Sequence, residues 1–203
     1  MNQPSLVDFT DKYVKIMKDY GPPGWTSIVW YDGMGLFATG NYGFYTDCDF
    51  FAYTYEDPSK SQVAGKVRYA LLPHPEDGDP KSNLHAWSLG IVATSKRKGP
   101  AWYAIQYFSS PEALLEGTVK YNNYNPTRKS VFEHPDVQAV MGKWGQGTYL
   151  PTVNENVSKY AGLWYTAHRQ TSQTGERLVR AMHEIWTGEK DAKTALDEAA
   201  ADN

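Results

Sequence analysis

Apolar residues recur at helical spacing in some segments of this chain and form short continuous runs in others. Residues 5–20 carry apolar side chains three or four positions apart, which predicts an amphipathic helix, and GPPG at 21–24 ends it because proline cannot continue the helical hydrogen bonds. By contrast, KVRYALL at 66–72 and LGIVA at 89–93 are short apolar runs typical of strands, and a third strand is predicted around 42–46. Because the two kinds of segment alternate, the sequence predicts an α/β or α+β fold with more helix than strand.

Further helices are predicted toward the C-terminal end, where apolar residues again recur at helical spacing. Proline is tolerated in a first helical turn and glycine commonly follows a last one, so both residues help to set the boundaries. These helices are predicted over 100–108, from Pro111 onward, over 134–141, around Leu178, Met182 and Ile185 up to Gly188, and around Leu196 and Ala199. Residues 142–171 show little periodicity, and the loop at 73–83, with three prolines, is predicted to be exposed.

Charge, hydropathy and cysteine content exclude several classes of protein. The net charge is −3 and the only dense basic run is 96–98, so we expect no nucleic-acid partner. No apolar run approaches the ~18 residues that a membrane span requires. Cys48 is the only cysteine, which rules out an intrachain disulfide and a cysteine-based metal site. The start, MNQPSLVDFTDKY, has neither the basic region nor the apolar core of a signal peptide.

Motifs for cofactors and metals are weak or missing. GMGLFATG at 33–40 lacks both the G-x-G-x-x-G spacing and the Gly-Lys-Ser/Thr ending of phosphate-binding loops, so a helix followed by a turn is predicted there. The five histidines, at 74, 85, 134, 168 and 183, are scattered and form no H-x-x-x-H pair. We therefore expect no metal and no cofactor.

Catalytic arrangements are equally hard to find. The chain has no G-x-S-x-G nucleophile elbow, and Cys48 stands between two aspartates that disfavour its thiolate. With the segment taken as extended, a glycosidase-style carboxylate pair would have to draw on residues other than Asp47 and Asp49.

Four segments each carry two polar or aromatic side chains in a loop beside a predicted strand end or helix start. The pairs are Asp47 with Phe50, His85 with Trp87, Asn125 with Arg128, and Trp164 with Tyr165. A neutral polyhydroxylated ligand needs this mixture, because charged groups bridge adjacent hydroxyls while aromatic faces cover the C–H surface. The 7 tryptophans and 15 tyrosines fit either such a site or a protein interface.

The order of four longer segments resembles the extracellular solute-binding proteins of bacterial ABC sugar importers, and most closely their sugar and sugar-alcohol (polyol) branch. The segments are FATGNYGFYTDCDFFAYTYEDPSKSQVAGKVRYALLP, HAWSLGIVATSKRKGPAWYAIQYFSSPEAL, NPTRKSVFEHPDV and ERLVRAMHEIWTGEKDAKTALDEAAAD. They look like the family's "DPxKSxVAGKVGYAxxP" segment, its "W-x-hydrophobic-x-I-x-x-x-S-K" strand with the following helix, its "P-x-x-T-R-x-S" element and its closing helices. The likeness covers nearly the whole chain.

This resemblance implies a periplasmic-binding-protein-like α/β fold (type II) that is incomplete. Family members have two lobes joined by hinge segments, and this chain resembles only their C-terminal half, covering part of both lobes. Residues 1–64 and 122–203 would lie mainly in the second lobe, while 65–121 would supply a hinge crossing and first-lobe elements. Met1 would then be an artificial start or the start of a truncated gene.

The resemblance also assigns ligand contacts by position. Asp47 would accept hydrogen bonds from ligand hydroxyls, with Phe50 as an apolar wall beside it. Trp87, with His85, would stand at the mouth of the strand at 89–93. Arg128 matches the arginine of the T-R-x-S element. Asn125 belongs to the same loop, and Trp164 and Tyr165 fall where the family presents ligand-facing side chains.

The implied function is carbohydrate or sugar-alcohol binding as the substrate-binding component of an ABC importer, without catalysis. Its expected partners are the ligand, an ABC permease, and either the missing N-terminal half or a second copy that covers the open sheet edges. Full-length family members are periplasmic or extracellular and associate with the membrane. Two alternatives stay open: a fragment of a carbohydrate-active enzyme, and a protein-interaction module that uses the aromatic surface.

Overall fold

The computed structural model describes residues 2–76, 78–121, 125–162 and 171–201. Within these ranges the chain is mainly helical, as the apolar spacing predicts. The α-helices are α1 (Pro4–Tyr20), α2 (Trp30–Ala38), α3 (Ala52–Tyr55), α4 (Lys98–Phe108), α5 (Pro111–Val119), α6 (Lys129–Phe132), α7 (Pro135–Met141), α8 (Tyr149–Glu155), α9 (Thr171–Thr187) and α10 (Ala192–Ala201). Short 3₁₀ segments lie at Trp25–Ser27, Asp49–Phe51 and Trp144–Gly147, and a π-helical turn at Asn156–Tyr160.

Local signals explain where several helices start and stop. Proline occupies the first turn of α1, α5 and α7, where its missing N–H costs no hydrogen bond. The Ser110 side chain caps α5 by accepting a hydrogen bond from the Ala113 N–H at 3.2 Å. The glycine-rich stretch at 33–40 forms the end of α2 and a turn through Gly40, whose φ is +81°. The predicted helix followed by a turn is therefore confirmed there.

The sheet is small. Strands β1 (Ser82–Asn83) and β2 (Ala161–Gly162) run parallel, with Ser82 opposite Ala161 and Asn83 opposite Gly162. The predicted strands at 42–46 and 89–93 are wrong for this structure, since both stretches are irregular. A strand needs a neighbour to accept its backbone hydrogen bonds, and a favourable residue pattern does not supply one.

Residues 66–72 are also irregular rather than a strand, and side-chain bonds hold them in place. The Thr148 hydroxyl oxygen accepts a hydrogen bond from the Tyr69 N–H at 2.9 Å, and the Thr152 hydroxyl donates to the Tyr69 carbonyl at 3.2 Å. Arg68 donates to the Gln146 side chain at 3.0 Å. These polar side chains take the place of the neighbouring strand that the prediction assumed.

Residues 142–160 contain more regular structure than their sequence suggests. Glycine and aromatic residues conceal the period, yet α8 and the π-helical turn follow the 3₁₀ segment directly. Gly145 and Gln146 within that segment have φ values of +60° and +57°. The left-handed backbone at these positions interrupts the helix, so no continuous helical spacing of apolar residues runs through the segment.

The described contacts divide the chain into two compact units, Met1–Asp32 with Tyr165–Asn203, and Gly33–Trp164. The first unit joins α1, α9 and α10 around a core of Val14, Ala181, Ile185 and Leu196. The rings of Trp25 and Trp186 meet edge to face in the same unit, 5.5 Å apart. Its helices bury one apolar face each, as their spacing predicts.

The second unit, Gly33–Trp164, contains two apolar clusters. One lies among α5, α7 and α8 and includes the fully buried Val137 and Tyr149. The other brings α2 and α3 together around Phe51 and Tyr55. Among the helices that the model describes, none is both long and apolar enough to cross a membrane.

Candidate functional site

The loop that carries Asp47 and Phe50 turns sharply instead of running as an extended strand. One Asp47 carboxylate oxygen accepts the Cys48 N–H at 2.7 Å and the other accepts the Tyr45 hydroxyl at 2.9 Å. Asp49 then begins the 3₁₀ segment Asp49–Phe51. Asp47 lies in a bend and Asp49 in a 3₁₀ turn, so the segment is not an extended strand, although Cys48 between them keeps extended backbone angles.

Asp47 remains exposed in this loop. An ionised carboxylate accepts hydrogen bonds at both oxygens, and the hydroxyl groups of a ligand are donors of the kind it accepts. Phe50 is half-buried and its ring lies 4.9 Å from that of Tyr53. The loop thus presents an acceptor and an apolar ring within four residues.

A hydrogen-bond network joins this loop to Asn125. The Asn125 side-chain amide donates to the Asp49 carboxylate at 2.7 Å, and the Tyr149 hydroxyl donates to the Asn125 side-chain oxygen at 3.0 Å. Tyr149 is 1% exposed, so the network rests on a rigid core residue. It fixes the loop against α8 and against the loop before α6.

Burial governs the titration of these groups. Desolvation raises the pKa of the Asp49 carboxyl above its usual range, although part of the residue stays accessible, and the backbone N–H groups of Asp49 and Phe50 oppose the shift. Burial, followed by the nearby Asp47 and Asp49 charges, raises the pKa of the Cys48 thiol to about 11. The prediction that Cys48 is a poor thiolate is confirmed, with burial as the larger cause.

An aromatic cluster packs beside the loop that carries Asp47. The Phe37 ring lies 5.8 Å from Tyr45 and 5.0 Å from Tyr55. Burial raises the pKa of both tyrosines, and the Tyr45 hydroxyl donates to Asp47. Within the described residues the Tyr55 hydroxyl is buried without a hydrogen-bond partner.

Arg128 lies at the start of α6 and is exposed. Its Nε donates to the Ser109 carbonyl at 2.8 Å, which holds the side chain against the end of α4. The guanidinium carries five donors, so the groups beyond Nε can still reach a ligand. Asn125 and Arg128 come from one loop, as predicted, but Asn125 faces Asp49 while Arg128 is tied to Ser109.

His85 and Trp87 form a separate pair. Their rings meet edge to face at 5.1 Å, and Trp87 is 83% exposed. Hydrogen bonds and ring contacts among the described residues do not connect this pair to Phe50, Asn125 or Arg128. The predicted strand beyond them, at 89–93, is absent, so the pair does not stand at a strand mouth here.

Trp164 and Tyr165, the remaining predicted contacts, lie outside the described residues. The sequence reasoning missed Asp49 and Tyr149, which hold Asn125 in place. The sequence signal for Asp49 is its position two residues after Asp47. An extended segment gives no reason to place that aspartate beside Asn125.

Two further observations concern a cleft in the Gly33–Trp164 unit and the side chains that could hold a metal ion. An open cleft of about 560 Å³ is lined by other residues, among them Glu56, Lys143 and Trp144. In the part of the chain that the model describes, no three histidine, cysteine, aspartate or glutamate side chains converge to hold a metal ion.

Two known proteins with similar sequences are named for sugar alcohols. The chain is 27% identical over its full length to the erythritol/L-threitol-binding protein of Mycolicibacterium smegmatis, of which it covers 42%. It is 31% identical over 112 residues to the mannitol-binding protein of Pseudomonas aeruginosa, covering 53% of this chain and 26% of that protein. The chain therefore spans less than half the length of these relatives.

Solved structures agree with the sequence comparison on the fold. An ABC transporter solute-binding protein from Agrobacterium vitis, solved with bound D-mannitol, matches 97% of this chain and 49% of its own, with a TM-score of 0.84 and 27% identity. A second, from Agrobacterium radiobacter and in complex with ribitol, matches 99% and 49% with a TM-score of 0.87 and 24% identity. The periplasmic-binding-protein-like fold, present in part, is thus confirmed. A family model for bacterial extracellular solute-binding proteins matches residues 2–114, more than half of the sequence, so the chain belongs to that family.

Proposed function

We propose that this chain forms part of the substrate-binding component of an ABC importer and contributes contacts to a sugar alcohol. The observation that carries the proposal is the likeness, over the whole of this chain and 42% of the relative, to a protein named for erythritol and L-threitol. A structure with D-mannitol bound, at the same 27% identity, supports the same class of ligand.

The Asp47 loop suits a polyol chemically. A linear sugar alcohol has hydroxyl groups along one edge and C–H groups between them, so it needs acceptors, donors and an apolar wall together. Asp47 supplies an acceptor and Phe50 a wall, while Asn125 holds the loop through Asp49. Arg128, His85, Trp87, Trp164 and Tyr165 are proposed as further contacts.

The proposed role is binding without catalysis. Solute-binding proteins close two lobes around a ligand, and contacts with both lobes stabilise the closed form. Following the assignment of residues 1–64 and 122–203 mainly to the second lobe, and of 65–121 to hinge and first-lobe elements, this chain would hold part of such a site. Its proposed partners are an ABC permease and either the remaining half of the fold or a second copy, at the outer face of the membrane.

Saturation-transfer NMR with D-mannitol, ribitol and erythritol tests the ligand class. Because part of the site lies outside this chain, we expect weak binding, with Kd in the millimolar range, about −4 kcal/mol. Asp47→Ala should remove the signal, whereas Asp8→Ala, which breaks only an exposed pair with Lys12 in α1, should leave it unchanged. Triethylene glycol, of similar size and with few hydroxyl groups, should give no signal.

Two results would contradict the proposal. One is the absence of transfer from all three polyols, and the other is equal transfer in the wild type and in Asp47→Ala. The same spectra address the enzyme alternative, since a carbohydrate-active enzyme would convert the polyol over time while a receptor leaves its resonances unchanged.

A further inference from the structure

A buried tyrosine hydroxyl beside the Asp47 loop makes no hydrogen bond. Tyr55, in α3, is 5% exposed, and among the described residues its hydroxyl oxygen has no hydrogen-bond partner. Burying a hydroxyl without a partner lowers the stability of the fold, so such groups are rare in folded proteins. Phenylalanine would fill the same space without that cost. The stability of this conformation alone therefore does not explain the hydroxyl.

The ring of Tyr55 lies next to that of Tyr45. The two rings meet edge to face with their centroids 6.2 Å apart, and both contact the ring of Phe37 within the Gly33–Trp164 unit. The Tyr45 hydroxyl donates to the Asp47 carboxylate at 2.9 Å. A tyrosine oxygen whose own proton is donated can still accept a hydrogen bond from a second donor. Tyr55 is thus placed to donate to Tyr45, which already donates to Asp47.

Both hydroxyl groups keep their protons and can therefore act as donors. Burial is the largest cause that raises the pKa of Tyr45 and of Tyr55 above its usual value, and the Asp47 carboxylate adds to it in both cases. Gly33 of α2 lies beside the Tyr45 hydroxyl: a Cβ atom there would stand 2.9 Å from the hydroxyl oxygen. Because glycine has no side chain, the Tyr45 hydroxyl has room to shift.

We propose that Tyr55 is a positioning residue for the polyol contact at Asp47, and that its hydroxyl donates to Tyr45 once ligand hydroxyl groups share the Asp47 carboxylate. The chain of bonds then runs from Tyr55 through Tyr45 to Asp47, and hydrogen bonds in such a chain strengthen one another. A bond made only in the bound form adds to the affinity for the ligand. The inference deepens the proposed function and rests on it, because Asp47 is a ligand contact only within that proposal.

Other roles for the Tyr55 hydroxyl lead to different behaviour. If the hydroxyl stabilises the fold without ligand, its removal lowers stability. If the hydroxyl is merely tolerated in the core, its removal leaves ligand binding unchanged. Only a hydroxyl that is engaged in the bound form is dispensable for stability and required for full affinity.

Two measurements on the full chain and its Tyr55→Phe variant test the proposal: urea unfolding without polyol, and saturation-transfer NMR titration with D-mannitol. We expect the urea midpoint of Tyr55→Phe to equal or exceed that of the wild type, because the variant removes a buried hydroxyl that has no partner. We expect the Kd for D-mannitol to rise about threefold to tenfold, as the loss of one hydrogen bond in the bound form would cause.

Tyr69→Phe is the matched control, because the half-buried Tyr69 hydroxyl donates to the Glu56 carboxylate at 3.1 Å. This variant should lower the urea midpoint and leave the Kd unchanged. A lower urea midpoint for Tyr55→Phe, or an unchanged Kd, would overturn the inference alone, provided that the wild type binds D-mannitol. No transfer from D-mannitol to the wild type would overturn the proposed function and the inference with it.

Discussion

Gly145 occupies a position where a side chain has no room. Its φ of +60° lies in the left-handed region, and a Cβ atom there would collide with the Tyr69 ring and stand 2.7 Å from the Thr148 hydroxyl. Its N–H donates to the Glu56 carboxylate at 2.8 Å, and the Tyr69 hydroxyl donates to the same oxygen at 3.1 Å. One glycine therefore lets residues 66–72 lie close to the 3₁₀ segment before α8.

Gly145→Ala should lower the free energy of unfolding by about 2–3 kcal/mol, because it combines backbone strain with overpacking. Gly35→Ala is the matched control in the same unit: an added Cβ meets nothing within 4 Å, and alanine in the interior of α2 should raise stability by about 0.5–1 kcal/mol. Urea unfolding followed by circular dichroism measures both. Equal effects of the two substitutions would refute the steric explanation.

Single residues of the site were predictable only where the determinants are local. The exposure of Asp47 beside Phe50 follows from a polar loop next to aromatic residues. The bond from Asn125 to Asp49 spans 76 positions, and no sequence spacing indicates it. The role of Tyr149 was not predictable either, because the partner of a buried tyrosine hydroxyl is known only from the folded chain.

Helices and strands differ in how much of their stability is local. The predicted helices correspond to α1, α2, α4, α5, α7, α9 and α10, because a helix makes its hydrogen bonds within its own segment. The strands predicted at 42–46, 66–72 and 89–93 fail here, because a strand exists only with a neighbour. Residues 66–72 bind side chains of α8 and the preceding turn, while 89–93 stay uncovered.

The start of α5 provides a test at this scale. Ser110→Ala removes the acceptor of the Ala113 N–H and should cost about 1 kcal/mol. Ser109→Ala is the control, because the described bonds of Ser109 use its main chain: the N–H donates to the Ile105 carbonyl at 3.0 Å and the carbonyl accepts from Arg128. Chemical denaturation should separate the two variants. Equal stability would mean that Pro111 alone sets the helix start.

At the scale of the whole molecule, the chain forms two units, and one of them is discontinuous. Met1–Asp32 and Tyr165–Asn203 build the first unit around α1, α9 and α10, and Gly33–Trp164 builds the second. The candidate contacts Asp47, Phe50, Asn125 and Arg128 all belong to the second unit.

Leu196→Ala should loosen the first unit selectively. Leu196 is fully buried in α10 among α1 and α9, and a leucine-to-alanine change in a core costs about 2–5 kcal/mol. Hydrogen exchange followed by mass spectrometry should show faster exchange in α1 and α9 and little change in α5 and α7. Val137→Ala, in the core of the second unit, should give the reverse pattern. Uniform acceleration by either variant would contradict the division.

The bond from the Asn2 side chain to Asp197 spans 195 positions and joins the residues just before α1 to α10. During synthesis α1 leaves the ribosome before residues 33–164, and the residues of α9 and α10 that cover Val14 follow only after them. Residues 33–164 can fold as soon as they emerge, whereas α1 must wait with its apolar side uncovered. In the nascent polypeptide, α1 therefore stays available to a chaperone until α9 and α10 have followed.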